Sequence, residues 1–258
     1  MLNLRNASIY MIILAALGFL LMIFNMQYIW LFAALAVIYI YLLVMGSVKI
    51  CAGFYIKVLC HGGTSEKLVA LTFDDGPDPD QTPRILEILE KHQVRATFFV
   101  IGRKAEDEED LLRNIFSAGH TIGNHSYSHA LFFDLFGRKK MEQDLLRANN
   151  VIEKVSANKP VLFRPPFGVT NPIVAKVVKK LGYHAIGWSV KSLDTVLKNP
   201  DKIVERINDR LHPGAVILMH DDREMTVKVL EEVILKIKKE GYRFVGVEEM
   251  MGFTPRTR

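Results

Sequence analysis

Two adjacent carboxylates, Asp74 and Asp75, close the stretch LVALTFDDGP, Leu68 to Pro77. An apolar run of strand type leads into them, and Gly76 with Pro77 turns the chain at once. Side chains along a strand alternate faces, so neighbouring aspartates inside a regular strand point apart. At the last residues of a strand, with a kink after them, both can reach the mouth of a parallel sheet. Ligands and catalytic groups gather there in α/β folds. Taken alone, the stretch is equally well a strand followed by an Asp-Gly turn with no chemistry. A second pair of residues weighs on the choice. His125 and His129 stand at i, i+4, a spacing that on a helix or tight turn sets two imidazoles on one face as ligands of one metal. Two histidines by themselves are more often structural or exposed, but these also follow the end of a strand. Asp75 with His125 and His129 makes a three-ligand site with open positions, suited to zinc or another divalent transition metal. Metal-assisted hydrolysis is the reaction class implied.

The elements that must position these groups alternate along the chain. After the opening strand, Thr82 to His92 is amphipathic, with Thr82 as its expected N-cap and Pro83 in its first turn. Ala96 to Ile101 reads as a buried strand. Ala105 to Ala118 reads as a helix with an acidic start that Gly119 ends. His120 to Asn124 is a short strand, Lys139 to Val155 a helix, and Val161 to Phe163 a brief strand. Asn171 to Leu181 is a helix closed by Gly182, and Tyr183 to Trp188 returns as a strand. Pro200 to Leu211 is helical, Ala215 to Met219 is a strand ending at His220, and Arg223 to Glu240 with Arg243 to Val245 completes the series. Strands alternating with helices argue for parallel βα units, in a number that suits a barrel.

The 258-residue chain suffices for one sizeable domain and an appendage. Half of its residues are hydrophobic, with the excess concentrated before residue 46. Ser8 to Phe24 and Tyr28 to Met45 carry no charged side chain, and each is about long enough to cross a hydrocarbon core of roughly 30 Å. Asn25, Met26 and Gln27 interrupt them, so residues 1–46 read as a hairpin of two transmembrane helices. A cleavable signal peptide fits less well, because a second apolar segment follows at once. In residues 47–66, Ile50, Cys51, Phe54, Tyr55, Val58 and Leu59 fall at helical spacing with Lys49 and Lys57 on another side, as in an interfacial amphipathic helix. Arg5, Lys49, Lys57 and Lys67 flank the outer ends of the hairpin while its loop has no basic residue. The positive-inside rule then favours a cytoplasmic catalytic part. Cys51 and Cys60 lie apart from the candidate ligands, and free buried thiols are the expected state. The formal net charge of +5 suits anionic headgroups or phosphorylated glycans. No recognition motif or dense basic helix supports a nucleic-acid partner. Arg103, Arg138, Lys139 and Lys140 are candidate phosphate contacts, although a solvated surface accounts for them too.

Five stretches in order, TFDDGP at 72–77, HSYSH at 125–129, RPPFG at 164–168, WSVKSLD at 188–194 and ILMH at 217–220, resemble the ordered motifs of the polysaccharide deacetylase family, carbohydrate esterase family four. The resemblance runs over about Lys67 to Met250 and assigns residues 67–258 to that domain. It implies a distorted (β/α) barrel of about seven strands behind the membrane hairpin. It also implies hydrolysis of an N-acyl group on an amino sugar of a glycan or lipid-linked saccharide. Asp74 would be the general base, and Asp75, His125 and His129 would hold a divalent metal, zinc first with cobalt, nickel or manganese as alternatives. Arg164 would pair with the base, and Pro166, Phe167 and Gly168 would frame the oxyanion and substrate, with the Phe167 N–H as donor. His220 would be the general acid, oriented by Asp194.

Two positions depart from the family pattern. Lys191 stands where an acidic residue is frequent, and Thr195 where a tryptophan walls the polymer groove. The paired membrane segments, the basic juxtamembrane helix and the missing tryptophan together favour a membrane-associated substrate over a polymer in a groove, with membrane lipid as an expected partner. A non-catalytic glycan-binding protein of this fold and an O-acyl esterase are the competing readings. Binding alone has no need of a general base.

Overall fold

The computed structural model describes residues 2–253. Helices α1 (Leu4–Phe24) and α2 (Ile29–Val48) form the hairpin, joined by a short 3-10 turn at Met26–Tyr28. Asn25 closes α1 with its N–H on the Leu21 carbonyl, and its side chain accepts from the Gln27 N–H. The two helices pack through Gly18 against Leu31 and through a 2.8 Å hydrogen bond between the Ser8 and Tyr39 hydroxyls. Both are long and apolar enough to cross a membrane, with mean hydropathies of 2.5 and 2.4. Their outward side chains, Ile12, Phe24, Trp30 and Val37 among them, are exposed.

Parallel strands follow: β1 (Val58–Leu59), β2 (Leu68–Asp74), β3 (Thr97–Val100), β4 (Thr121–Asn124), β5 (Leu162–Phe163), β6 (His184–Ile186), β7 (Val190–Lys191), β8 (Ala215–His220) and β9 (Arg243–Phe244). They form one curled sheet in the order β1-β6-β5-β4-β3-β2-β8-β7, with β9 against the start of β2. The outer helices are α3 (Thr82–Lys91), α4 (Gly102–Asp107), α5 (Glu109–Ser117), α6 (Arg138–Ser156), α7 (Pro172–Leu181), α8 (Pro200–Asp209), α9 (Glu224–Lys239) and the short α10 (Val247–Met250). The expected barrel is present as an open half-barrel. Among the described residues its strands number nine, where about seven were expected, because four of them, β1, β5, β7 and β9, are only two residues long. A bridge from His61 to Ala215 and the Gly62 N–H on Gly214 O draw the β1 end toward β8.

The two-residue period of β2 sorts its side chains. Val69, Leu71 and Phe73 join the core under the helices, while Ala70 packs in the barrel interior with Phe99, Ile186 and Val216. By the same period Thr72 and Asp74 fall on the interior face. A strand flanked on both sides and covered on both faces needs this unbroken apolar run. Asn171 caps α7 by accepting from the Ile173 and Val174 N–H groups, and Gly182 ends it in the left-handed region.

Four expectations are corrected. Residues 47–66 are not an amphipathic helix. They hold a 3-10 turn at Ile50–Ala52 and the edge strand β1, whose parallel pairing with β6 satisfies backbone groups a helix would satisfy internally. Cys51 and Cys60 are not free thiols but a disulfide, with Cα atoms 5.9 Å apart. Thr82 does not cap α3; its hydroxyl accepts from the Asp78 N–H and donates to Asp221 Oδ2. The single helix expected over 105–118 is two, α4 and α5, broken at Glu108, whose φ of −119° and ψ of 50° leave the helical region.

Candidate active site

The C-terminal ends of β2, β4, β5, β7 and β8 converge on one mouth, and all seven candidate catalytic and ligand side chains meet there. Asp74 is the last residue of β2, on the face that looks into the barrel. Asp75 then adopts φ 76°, a left-handed conformation that breaks the alternation and brings the second carboxylate to the same opening. Left-handed residues recur around the mouth at Ser126, His129, Phe167 and Leu193. Such conformations cost of order 1–3 kcal/mol each and persist where surrounding contacts dictate them. After β4, the Asn124 side chain accepts from the Ser126 N–H and the Ser126 hydroxyl from the His129 N–H, so the two histidines share a tight turn.

Asp75 Oδ1 stands 3.5 Å from His125 Nε2 and 3.3 Å from His129 Nε2. His125 uses Nδ1 to donate to the Arg164 carbonyl at 2.8 Å, which leaves Nε2 with a lone pair toward the site. Asp75 Oδ1 is buried and has no hydrogen-bond donor. A buried carboxylate oxygen facing two imidazole nitrogens, unsatisfied by any protein donor, fits a divalent cation. Burial opposes ionisation of Asp75, but the imidazoles of His125, His129 and His220 outweigh it and hold the carboxyl well below the usual carboxylate range. Burial also works against charge on His125, yet Asp74 and Asp75 raise its pKa, as expected of a pocket that favours positive charge.

Arg164 is fully buried. Its Nη1 donates to Asp74 Oδ1 at 2.6 Å and to the Thr72 hydroxyl at 2.9 Å, while Nη2 and Nε donate to the carbonyls of Gly187 and Ile186. Its guanidinium lies over the Phe99 ring at 4.1 Å. Asp74 is thereby fixed through Oδ1, and Oδ2 is left 3.8 Å from His125 Nε2, beside the ligand set.

Asp194 receives three hydrogen bonds: from His220 Nδ1 at 2.8 Å, from the His220 N–H at 2.7 Å and from the Thr226 hydroxyl at 2.7 Å. Burial would lower the His220 pKa, but Asp194, with Asp74 and Asp75, raises it to about 8. Burial would raise Asp194, and His220 with Thr226 holds it below its usual value.

The Pro166–Gly168 turn borders the candidate ligand His129. Phe167 is 53% exposed, with its ring 4.8 Å from that of His129, and a Cβ at Gly168 would meet the Trp188 ring at 2.5 Å. Trp188 is a half-buried packing residue. Lys191 lies 5.6 Å from its ring, and Thr195 is exposed.

Three supporting residues escaped the sequence. Thr72 carried a signal, since it stands two before Asp74 and so shares its face. Thr226 and Asp221 carried none, because they reach the site through tertiary packing. Asp221 is fully buried against Gly76, where any Cβ would collide with its carboxylate, and burial beside Asp222 pushes its pKa up to about 7 despite the Thr82 hydrogen bond.

The sequence profile of the polysaccharide deacetylases matches residues 61–186. A Bacillus cereus peptidoglycan-N-acetylglucosamine deacetylase is 38% identical over 194 residues, covering 73% of this chain and 90% of that protein. The crystal structure of a peptidoglycan N-acetylglucosamine deacetylase, Bc1960, in complex with an N-hydroxybenzamide superposes with a TM-score of 0.73 at 31% identity, over 78% of this chain and 95% of that one. A Bacillus anthracis protein described as a CE4 family pseudoenzyme is nearly as similar, with a TM-score of 0.70 and 32% identity over 75% and 68%. Backbone likeness therefore does not separate active from inactive members, and the side chains at the mouth must.

Proposed function

The chain belongs to the polysaccharide deacetylase family, metal-dependent hydrolases of N-acyl groups on amino sugars, and from that premise we propose that it deacetylates an N-acetylated glycan outside the cytoplasmic membrane. One observation carries the reading. Three units stand complete around one opening: Asp74 with Arg164, Asp75 with His125 and His129, and Asp194 with His220.

Asp75, His125 and His129 would hold a divalent cation, with zinc the best fit to one carboxylate and two imidazoles, and that ion would supply water activation and polarisation of the acyl oxygen. Asp74 Oδ2 accepts the proton of the attacking water. Arg164, locked on Oδ1, keeps that carboxylate aimed. The water oxygen bonds to the acyl carbon, and the Phe167 N–H stabilises the oxyanion that develops. His220 Nε2 delivers its proton to the sugar nitrogen as the C–N bond breaks, releasing acetate and a free amine. An amide nitrogen leaves only when protonated, so a His220 that stays charged to about pH 8 favours the amide over an O-acyl ester. A pure binding protein would have no use for the Asp74–Arg164 and Asp194–His220 pairs.

The division into hairpin (1–46), connector (47–66) and catalytic domain (67–258) follows from this reading, with the two apolar helices spanning the membrane. For the membrane face, the flanking basic residues favour the cytoplasm, whereas the Cys51–Cys60 disulfide requires an oxidising compartment. We give the disulfide precedence, because the charge bias rests on four side chains. The test is purified full-length protein on N-acetylglucosamine oligomers, assayed for acetate and free amine. Release that a chelator abolishes and added zinc restores is expected; no release with metal bound refutes the activity.

A further inference from the structure

Among the described residues after Val48, the exposed large apolar side chains are Leu131, Phe132, Leu135, Phe167, Val196 and Leu235. All but Leu235 sit in loops at the catalytic mouth. Leu131, Phe132 and Leu135 are 71%, 63% and 71% exposed and begin two residues after the ligand His129. They are not a frayed loop. Phe133, between them, is buried in the core with Met141, Leu145 and Phe163, and the turn is closed by the Phe133 N–H on Ala130 O and the Leu135 N–H on Phe132 O. Asn171 Nδ2 also holds the Asp134 carbonyl at 2.5 Å. The fold thus pins a rigid turn that pushes three apolar side chains into the solvent beside the site. Arg138, Lys139 and Lys140 follow at once, all exposed, with Lys140 Nζ over the Phe136 ring at 3.7 Å.

The same rim is tied to the hairpin. The Thr170 N–H donates to the Ser47 carbonyl at 3.1 Å and the Thr170 hydroxyl to the Gly46 carbonyl at 3.4 Å, so the carbonyls that end α2 are satisfied by the loop that carries Phe167. Phe54 lies on Gly46, and its carbonyl accepts from the Leu4 N–H, placing the start of α1 at the same level. Thr170 stands three steps along the chain from Phe167, at most about 11 Å. The end of α2 therefore lies beside the Phe167–His129 contact.

We propose that the catalytic mouth docks on the bilayer surface, with Leu131, Phe132 and Leu135 inserted at the interface and Arg138, Lys139 and Lys140 against anionic headgroups, so that the site takes N-acetylated amino sugars anchored to lipid. The proposal rests on the deacetylase reading and on the hairpin spanning the membrane. Continuity with α2 selects the bilayer as the occupant: an apolar turn with basic residues behind it, held level with the end of a spanning helix, meets headgroups and acyl chains before any soluble partner. The missing groove tryptophan at Thr195 accords with a substrate delivered from the membrane plane.

The test uses full-length protein reconstituted in phosphatidylcholine vesicles with a minority of phosphatidylglycerol, with or without dibrominated acyl chains. In a Trp30→Phe background, Phe132→Trp should add emission that is blue-shifted and quenched by the brominated chains. Leu235→Trp, on α9 away from the mouth, should add unquenched emission. Emission from Phe132→Trp that is as water-like and unquenched as that from Leu235→Trp would overturn the docking. The combined variant Leu131→Ser, Phe132→Ser, Leu135→Ser should lose at least about ten-fold in rate on a vesicle-borne N-acetylglucosaminyl lipid and stay within about two-fold on soluble N-acetylglucosamine oligomers, since none of the three touches the reacting groups. Equal rates of variant and wild type on the lipid substrate would also overturn it. If the wild type acts on neither substrate, the deacetylase reading falls, and the quenching alone decides the surface.

Discussion

Replacing Asp194 by asparagine should change the pH dependence of the reaction before anything else. In the folded protein the His220 pKa stands at about 8 against an ordinary 6.5, with burial working against the rise and the Asp194 charge chiefly producing it. The difference of about 1.5 units corresponds to about 2 kcal/mol of preference for the charged imidazole. The His220 side chain is 13% exposed and that of Asp194 is fully buried, so solvent screens the pair little. Because the pKa is raised, the proton is held below the ordinary value and lost as pH rises through about 8. Asparagine keeps the size and one acceptor but removes the charge, returning His220 toward 6.5. At about pH 7.5 the charged fraction then drops from about three quarters to about one tenth, an eight-fold loss from ionisation alone. At about pH 5.5 both proteins hold the proton, and only a pH-independent loss from poorer orientation remains. The assay is kcat/KM for amine release between about pH 5 and 9. The wild-type to variant ratio should be about eight-fold larger at pH 7.5 than at pH 5.5. A ratio constant across that range refutes the assignment of Asp194 and His220 as a charge-coupled acid.

His220→Ala should lower turnover by about 10² to 10⁴ and leave metal content unchanged; loss of metal on elemental analysis would place His220 among the ligands. Cys51→Ala opens a loop of about ten residues and should cost about 2 to 3 kcal/mol in denaturant unfolding, an effect that reductant reproduces in the wild type. Unfolding curves insensitive to both changes would mean that the cysteines are unpaired in the membrane-bound protein. A C-terminal alkaline phosphatase fusion should be active in intact cells, as expected of a catalytic domain beyond the membrane; an inactive fusion of full length would restore the cytoplasmic placement that the flanking charges favour.

The parts of the molecule legible in the sequence are those where local signals and tertiary structure agree. The unbroken apolar run of β2, the Asn171-Pro172 start and Gly182 stop of α7, and the aspartate and histidine pairs at strand ends all carried their structural meaning in a few adjacent residues. Val58–Leu59 and Val190–Lys191 did not. Two-residue strands are defined by their partners β6 and β8, and no periodicity exists at that length. The connector misled for a sharper reason. Its apolar residues fall at helical spacing, but the Cys51–Cys60 link and the pairing with β6 commit it to a compact loop. The break at Glu108 lies in a sequence with no proline or glycine to announce it. At the site, the seven side chains that meet at the mouth all stand in short motifs of the sequence. Those that hold them, Thr226 on Asp194 and Asp221 against Gly76, come from α9 and its approach and are brought in by the fold alone.

The neighbours Asp74 and Asp75 look equivalent in the sequence, and the structure separates them: one oxygen of Asp74 is locked on Arg164, while Oδ1 of Asp75 faces only His125 and His129. Metal content and activity of Asp74→Asn and Asp75→Asn, measured side by side, test that division most directly. Asp74→Asn should bind metal at wild-type stoichiometry and be almost inactive at any metal concentration. Asp75→Asn should lose metal and activity together and regain part of its rate in excess metal. Equal metal loss in both variants, or equal activity with metal retained in both, would contradict the account.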